Sequence, residues 1–335
     1  MNRIEFIHDF TRLGILLRAY LYEGKDVMEL NNAIIQSTVA NTWFTSYHIK
    51  EQLSAIANNY LQQDKLEYWL ANYPKVWYDY QKDITVVMAG NIPLVGFHDY
   101  LSVLASGRTV SVKLSSKDTF LMPALHHLLC TFAPEWRSRV RFVDRVRDDT
   151  DGLIVTGSDV TAAWFNARYP HLPRIVRGHR VSVAVIPENM SMEEIVGLHR
   201  DMFLYFGLGC RSVVHLFIPE GFNLEKIKTA EEVSHTGFRN AYLRQKALLT
   251  LQKQPFLDGG FFLLQQSNEL HPNMATVFYT CYSHINEVIS YIDDHQFKIQ
   301  CVVGRAMDIK KSINFGSAQN PQLWDYADGM DTMLL

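Results

Sequence analysis

The stretch "FGLGCRSV", residues 206–213, sets Cys210 just after Gly207 and Gly209 and just ahead of the apolar, β-branched run "VVHLFIP". Two flanking glycines leave the backbone free to expose a thiol and to aim the cysteine's own N–H at a bound carbonyl, which are the requirements of nucleophilic thiol catalysis. Without such a setting a free cysteine is a small buried hydrophobe. Cys130 in the helical pattern "LHHLLCTF", and Cys281 and Cys301 in strand patterns, are read that way. No CxxC spacing occurs, which disfavours a zinc site and a disulfide scaffold, and the pair His126–His127 lacks metal-ligand spacing. Three further turns, "MAGNIPLVG", "VKLSSKD" and "VTGSD", end strand-like runs in small or polar residues. Backbone N–H groups at such junctions can meet a phosphate or a polar ring, but none matches GxGxxG or the P-loop, so each taken singly reads as a plain turn, with a phosphate site as the competing reading.

The elements that must position these turns alternate. Residues 1–78 carry helix-period patterns with little strand character. From Ile84 short strands alternate with helices: "ITVVMAG", "LVGFHDYLSVLAS", "TVSVKLS", "LMPALHHLLCTF", "RVRFVD", "GLIVTGS", "VTAAWFNARY", "VSVAVIP". This pattern predicts a parallel sheet covered on both faces, with ligands beyond the carboxyl ends of its strands. A second lobe opens near Pro187 with a helix over "SMEEIVGLHRDMFLYF", where Ser191 and Glu194 have capping-box spacing. After Cys210 come the strand "VVHLFIP", a long helix from Leu224 to Gln252, and the strands "GGFFLLQQ", "ATVFYTCY" and "KIQCVVG". The expected division is a helical segment 1–78, a nucleotide-binding lobe 79–186 with residues 306–335 packing back on it, and a cysteine-bearing lobe 187–305.

At 335 residues the chain is long enough for two lobes with their own cores. A formal charge of −3, from 32 basic and 35 acidic residues, gives no electrostatic case for nucleic acid or an anionic membrane. Charges at Asp9, Arg12 and Arg18 interrupt the apolar N-terminal stretch, which reads as a mature helix, and no run is long enough to span a bilayer. The expected setting is the cytoplasm.

Taken in order, "GNIPLVGFHDYLSVLASG", "VKLSSKD", "FGLGCRSV" and "DYADGMD" resemble the aldehyde dehydrogenase superfamily, and most closely its acyl-CoA reductase branch, the family of the fatty-acid reductase of bacterial luminescence. The resemblance implies an aldehyde dehydrogenase-like α/β fold of two lobes with Rossmann-like parallel sheets and an N-terminal helical segment. It also implies NADPH-dependent reduction of an acyl-CoA, fatty acyl in particular, to the aldehyde. By the same resemblance Cys210 is the nucleophile and Asn91, before Pro93, contributes to the oxyanion hole. Lys113, Ser115, Ser116 and Lys117 meet the adenosine end of the cofactor, and Thr156, Gly157 and Ser158 lie near its pyrophosphate and nicotinamide. "DYADGMD" is assigned to closing the lobes or to a subunit contact; no metal is implied.

Two departures from the family's hydrolytic members carry information. Where those members hold a water-activating glutamate, the stretch "VRGHRVSVAVI" places Arg177, 33 residues before Cys210, with Glu188, Glu193 and Glu194 the carboxylates nearby. Loss of that base favours transfer of the acyl group between thiols over hydrolysis. Where NAD-preferring members carry a glutamate, this chain has Ser116 and then Lys117, which favours NADPH over NADH. The alternatives are a reductase of acyl-carrier-protein thioesters or acyl phosphates, and a non-catalytic acyl- or nucleotide-binding subunit of a larger complex. The partners implied are the acyl-CoA substrate and either a second copy of the chain or a carrier-protein or synthetase partner. Trp43, Phe44 and Tyr47 are read as inter-helix core, with an acyl channel as the competing reading.

Overall fold

The computed structural model describes residues 2–73, 82–228, 233–305, 309 and 312–335. Parts of the expected helical segment, of the long helix and of the returning tail lie outside the described residues. The chain divides into two compact units, Met1–Gly178 with Pro321–Leu335, and His179–Asn320.

In the first unit α1 (Arg3–Tyr22) starts at a capping box in which the Glu5 N–H donates to Asn2 Oδ1 at 3.0 Å and the Asn2 N–H donates to Glu5 Oε2 at 2.7 Å. Its buried residues Phe6, Phe10, Leu13 and Leu17 follow helical spacing, and the Trp136 indole N–H donates to the buried Asp9 carboxylate at 3.0 Å. With α2 (Met28–Ala40), α3 (Ser46–Ala55) and α4 (Gln63–Ala71), this helix shares one apolar core with the sheet that follows.

That sheet is built from β1 (Asp83–Val87), β2 (Thr109–Lys113), β3 (Val140–Phe142), β4 (Gly152–Thr156) and β5 (Arg174–Arg177). Between them run α5 (Phe97–Ala105), α6 (Leu121–Phe132) and α7 (Asp159–Arg168). All pairings are parallel, in the order β3-β2-β1-β4-β5. The order reverses between β1 and β4, where the crossovers go to opposite faces and leave a crevice at the carboxyl ends.

The second unit comprises β6 (Val181–Val185), α8 (Met192–Phe203), β7 (Val213–Pro219), α9 (Thr236–Leu251), β8 (Leu257–Asp258), β9 (Leu263–Gln266), β10 (Thr276–Tyr282), α10 (Ile285–Asp294) and β11 (Ile299–Val303). Its sheet has the order β11-β6-β7-β10-β9-β8 and is parallel except for the β8–β9 pair. No helix among the described residues is long and apolar enough to cross a membrane.

Several expectations change. The strand "VSVAV", assigned to the first lobe from its position, hydrogen-bonds between β7 and β11, because alternation reveals strands but not the sheet they join. The expected long helix is a short 3-10 turn, Leu224–Lys228, followed by α9; β5 and α10 were not anticipated. The returning tail divides at 320/321, its last fifteen residues belonging to the first unit. "DYADGMD" bonds inside that unit: Tyr73 donates to Asp331 at 2.7 Å, and the Trp69 indole and Tyr73 both meet the Tyr326 hydroxyl. Cys281 is exposed rather than core, since the end of β10 has an open face, and Cys301 is half-buried.

The second unit contains a contact with no room for a side chain. A Cβ on Gly197 of α8 would lie 2.7 Å from the Phe315 carbonyl carbon and 2.8 Å from the Gly316 nitrogen, and Gly316 itself has φ +82°. Gly197→Ala is expected to lower stability by about 1–3 kcal/mol, read as a reduced urea midpoint; an unchanged midpoint would show that the tail yields freely.

Candidate active site

Cys210 is half-buried in the turn between α8 and β7. After α8 the chain passes through Phe206 at φ 57° and Gly207 at φ 73°. The left-handed conformation costs a non-glycine residue roughly 1–2 kcal/mol; burying the Phe206 ring, 4.5 Å from the His235 ring and 5.8 Å from the Phe238 ring, offsets this. The turn closes with the Leu208 N–H donating to Tyr205 O at 2.9 Å and the Ser212 N–H donating to Gly209 O at 3.0 Å. Ser182 of β6 donates its hydroxyl to the Cys210 carbonyl at 3.0 Å and lies 3.0 Å from the Cys301 sulfur. The cysteine backbone is thus tied to the middle of the second sheet.

The tail supports the same turn. Asp201, fully buried on α8, accepts the Gly316 and Ala318 N–H groups at 2.7 and 2.9 Å. Gln319 then donates to Ser212 Oγ at 3.3 Å, two residues after Cys210. Burial raises the Asp201 pKa to about 7, against the lowering effect of those two amides. Beside the turn lies a cavity of about 230 Å³, lined by Met202, Phe203, Phe206, Leu208, Phe238 and Met274 among others.

In the first unit the structure brings the turns after β1 and β2 together. A Cβ on Gly90 would fall 2.4 Å from Ser115 Oγ and 3.0 Å from Lys117 Cβ, so Asn91 follows a glycine pressed against the β2 turn. Lys113 ends β2, and its carbonyl accepts the Met88 N–H at 3.0 Å. Ser115 Oγ accepts the Lys117 N–H at 3.2 Å, while Ser116 and Lys117 are exposed. Asp118 turns inward and accepts the Leu94 N–H at 2.8 Å, holding Leu94 at φ 54°. Thr156, Gly157 and Ser158 form the β4–α7 turn, where Ser158 caps α7 by accepting the Thr161 N–H at 3.3 Å.

Arg177 ends β5 beside that turn; its carbonyl accepts the Gly157 N–H at 3.1 Å. Its Nη1 donates to Asp99 of α5 at 2.7 Å and lies 3.4 Å from Thr156 Oγ1. Both members of this pair are buried, Arg177 at 4% and Asp99 at 6% exposure, yet Nε and Nη2 of Arg177 have no hydrogen-bond partner among the described residues. Each unsatisfied buried donor costs about 1–3 kcal/mol, more when it is charged.

Of the aromatic residues considered for an acyl channel, Phe44 is core, Trp43 half-buried and Tyr47 exposed. Ser182, Asp201, Asp118 and Asp99 escaped the sequence analysis. Each sits in an otherwise ordinary strand, helix or turn pattern, and its partners are distant in sequence.

With this geometry in view, the fold is that of the aldehyde dehydrogenases. An aldehyde dehydrogenase from Bacillus cereus in complex with NAD+ matches with TM-score 0.65 and 14% identity over 90% of this chain and 72% of its own. An NAD-dependent aldehyde dehydrogenase from Sinorhizobium meliloti matches with TM-score 0.67 and 10% identity, over 94% and 74%. An acetylating aldehyde dehydrogenase from Geobacillus thermoglucosidasius matches with TM-score 0.64 and 9% identity, over 96% and 86%. No individual curated protein matches. The model of the acyl-CoA reductase (LuxC) family matches residues 12–237, and the chain belongs to that family. It is an oxidoreductase acting on the aldehyde or oxo group, of the type that reduces acyl thioesters to aldehydes.

The Asp118 clamp has a pH signature. Burial raises its carboxyl to about 6, above the ordinary aspartate value of about 3.9 in an unfolded chain. The folded protein therefore binds the proton more tightly, and this group's contribution to stability, full below pH 4, is lost as pH rises through 6; it amounts to roughly 2–3 kcal/mol. Asp118→Asn keeps an acceptor for the Leu94 N–H and removes the buried charge, so it should remove that fall and match or exceed the native protein above pH 6. Asp118→Ala, lacking the acceptor, should lose about 1–3 kcal/mol. Thermal melts from pH 4 to 8 test both, and an asparagine variant that is strongly destabilised at pH 8 would contradict the account.

Proposed function

We propose that this chain reduces an acyl-CoA thioester to the free aldehyde with NADPH, carrying the acyl group on Cys210. The observation that carries the reading is the Cys210 turn: a half-buried thiol on a backbone pinned by Ser182, in a turn whose Phe206, Gly207 and Leu208 line a mainly apolar cavity of about 230 Å³. An acyl chain is the occupant that such a lining suits, because burying methylenes against Phe and Met side chains is favourable by about 0.8 kcal/mol each.

The residues of the first unit fit a dinucleotide. The β1/β4 switch point, the capped N-terminus of α7 and the close-packed turns after β1 and β2 are features that such a group uses. Lys113, Ser115, Ser116 and Lys117 are assigned to its adenosine end, and Thr156, Gly157 and Ser158 to the turn nearer its reactive end. The preference for NADPH is supported by exposed Ser116 and Lys117, and by Asp118 being spent on Leu94 instead of facing a ribose. NADPH, when bound, supplies the hydride that reduces the acyl carbon.

The chain's own part lies in thiol chemistry. The Cys210 thiolate forms a bond to the thioester carbon, the bond from that carbon to the CoA sulfur breaks, and CoA departs as its thiolate. The Cys210 N–H and the Asn91 amide are the donors assigned to the carbonyl oxygen as negative charge develops. After reduction the carbon–sulfur bond to Cys210 breaks and the aldehyde carbonyl forms. The same reading places the reaction in the cytoplasm, with a homo-oligomer or a synthetase partner as the assembly.

Purified protein incubated with NADPH and acyl-CoAs from butyryl to palmitoyl is expected to form aldehyde, trapped as a hydrazone, and without NADPH to gain the mass of one acyl group. Cys210→Ala should abolish the mass gain and lower aldehyde formation at least about a thousandfold. A variant that still makes aldehyde would rule out the acyl-cysteine route.

A further inference from the structure

We infer that Arg177 binds a phosphate of the dinucleotide's pyrophosphate bridge through its Nε and Nη2 edge. The inference rests on the dinucleotide reading of the first unit. A guanidinium carries five N–H donors in a planar fork. Among the described residues, Arg177 is engaged through Nη1 only, by Asp99 and more distantly by Thr156.

The two unmatched atoms are neighbours on one side of the fork, and they form its bidentate edge. Elsewhere in this chain the same edge grips two oxygens of one anion. Arg147 places Nε and Nη2 on the two oxygens of Asp149 at 2.8 and 2.6 Å, and Arg305 does so on Glu194 at 2.7 and 2.9 Å. Parallel N–H groups of this kind match a carboxylate or a phosphate, whereas a single carbonyl oxygen would leave one of them unused.

Position narrows the choice. Arg177 ends β5 and reaches past Thr156, at the end of β4, to Asp99 on the helix that follows β1. The side chain therefore crosses the carboxyl end of β4 at the point where the strand order reverses, the crevice in which such sheets hold a dinucleotide's phosphates. Asp99 balances the charge and fixes one end of the fork. Nε and Nη2 are themselves buried, so a phosphate reaches them only if the side chain shifts to present that edge.

Arg177→Lys separates the two roles, because an ammonium can keep the Asp99 pair but cannot present a bidentate edge. Binding is measured by calorimetry for NADPH, for 2′-phospho-ADP-ribose, which has the pyrophosphate but no nicotinamide, and for CoA. The lysine variant should melt within a few degrees of the native protein, weaken NADPH and 2′-phospho-ADP-ribose alike by about 30-fold, and leave CoA unchanged. The double variant Asp99→Asn with Arg177→Met removes the buried charges together and should show the same loss if the lysine variant misfolds. Unaltered dinucleotide affinity overturns the inference, as does a loss confined to NADPH or to CoA. If the native protein binds no dinucleotide, the cofactor reading falls with it.

Discussion

Parallel strands buried on both faces must finish their polar business at their ends. In the first unit the order β3-β2-β1-β4-β5 sends crossovers to opposite faces on either side of the β1/β4 junction, so the carboxyl ends there are not roofed by a connecting helix. Three polar arrangements of that unit lie at the carboxyl ends of its strands. Asp118 serves the backbone after β1, Ser158 caps the helix after β4, and Arg177 reaches from β5 to Asp99. The buried ion pair has little claim as a stabiliser, since desolvating both partners consumes most of their attraction. Its value is to hold a cation in one place.

The second unit solves a different problem, that of stiffening a turn rich in glycine. Gly207 and Gly209 would leave Cys210 loosely placed if the turn stood alone. A strained but buried Phe206 sets the exit from α8, Ser182 takes the Cys210 carbonyl, and the Asp201-bound tail supplies Gln319 to Ser212. Flexibility in the sequence is thus converted into a defined geometry by partners from β6 and from the tail.

Much of this was legible beforehand. Alternating strands and helices announced a parallel α/β fold, the Ser191–Glu194 capping box marked α8, and glycine spacing singled out Cys210. What stayed hidden was pairing at a distance. No local pattern tells that Asp99 meets Arg177, that Asp201 holds residues 316–318, or that "VSVAV" joins the second sheet. A buried acid in a helix and an exposed acid differ only by where their element packs. The short strand β5, with arginines at both ends, likewise lacked the apolar continuity that marks its neighbours.

The division of the tail at 320/321 bears on the order in which the protein can be completed during synthesis. The second unit is one continuous run, His179–Asn320, and has all its residues once that run has left the ribosome. The first unit begins earlier but needs Pro321–Leu335, whose Gln322, Leu323, Tyr326 and Asp331 bond to Lys65, His98, Trp69 and Tyr73. The unit begun first is therefore the later of the two to close, with the aromatic and polar sockets around α4 open to solvent until residues 321–335 arrive.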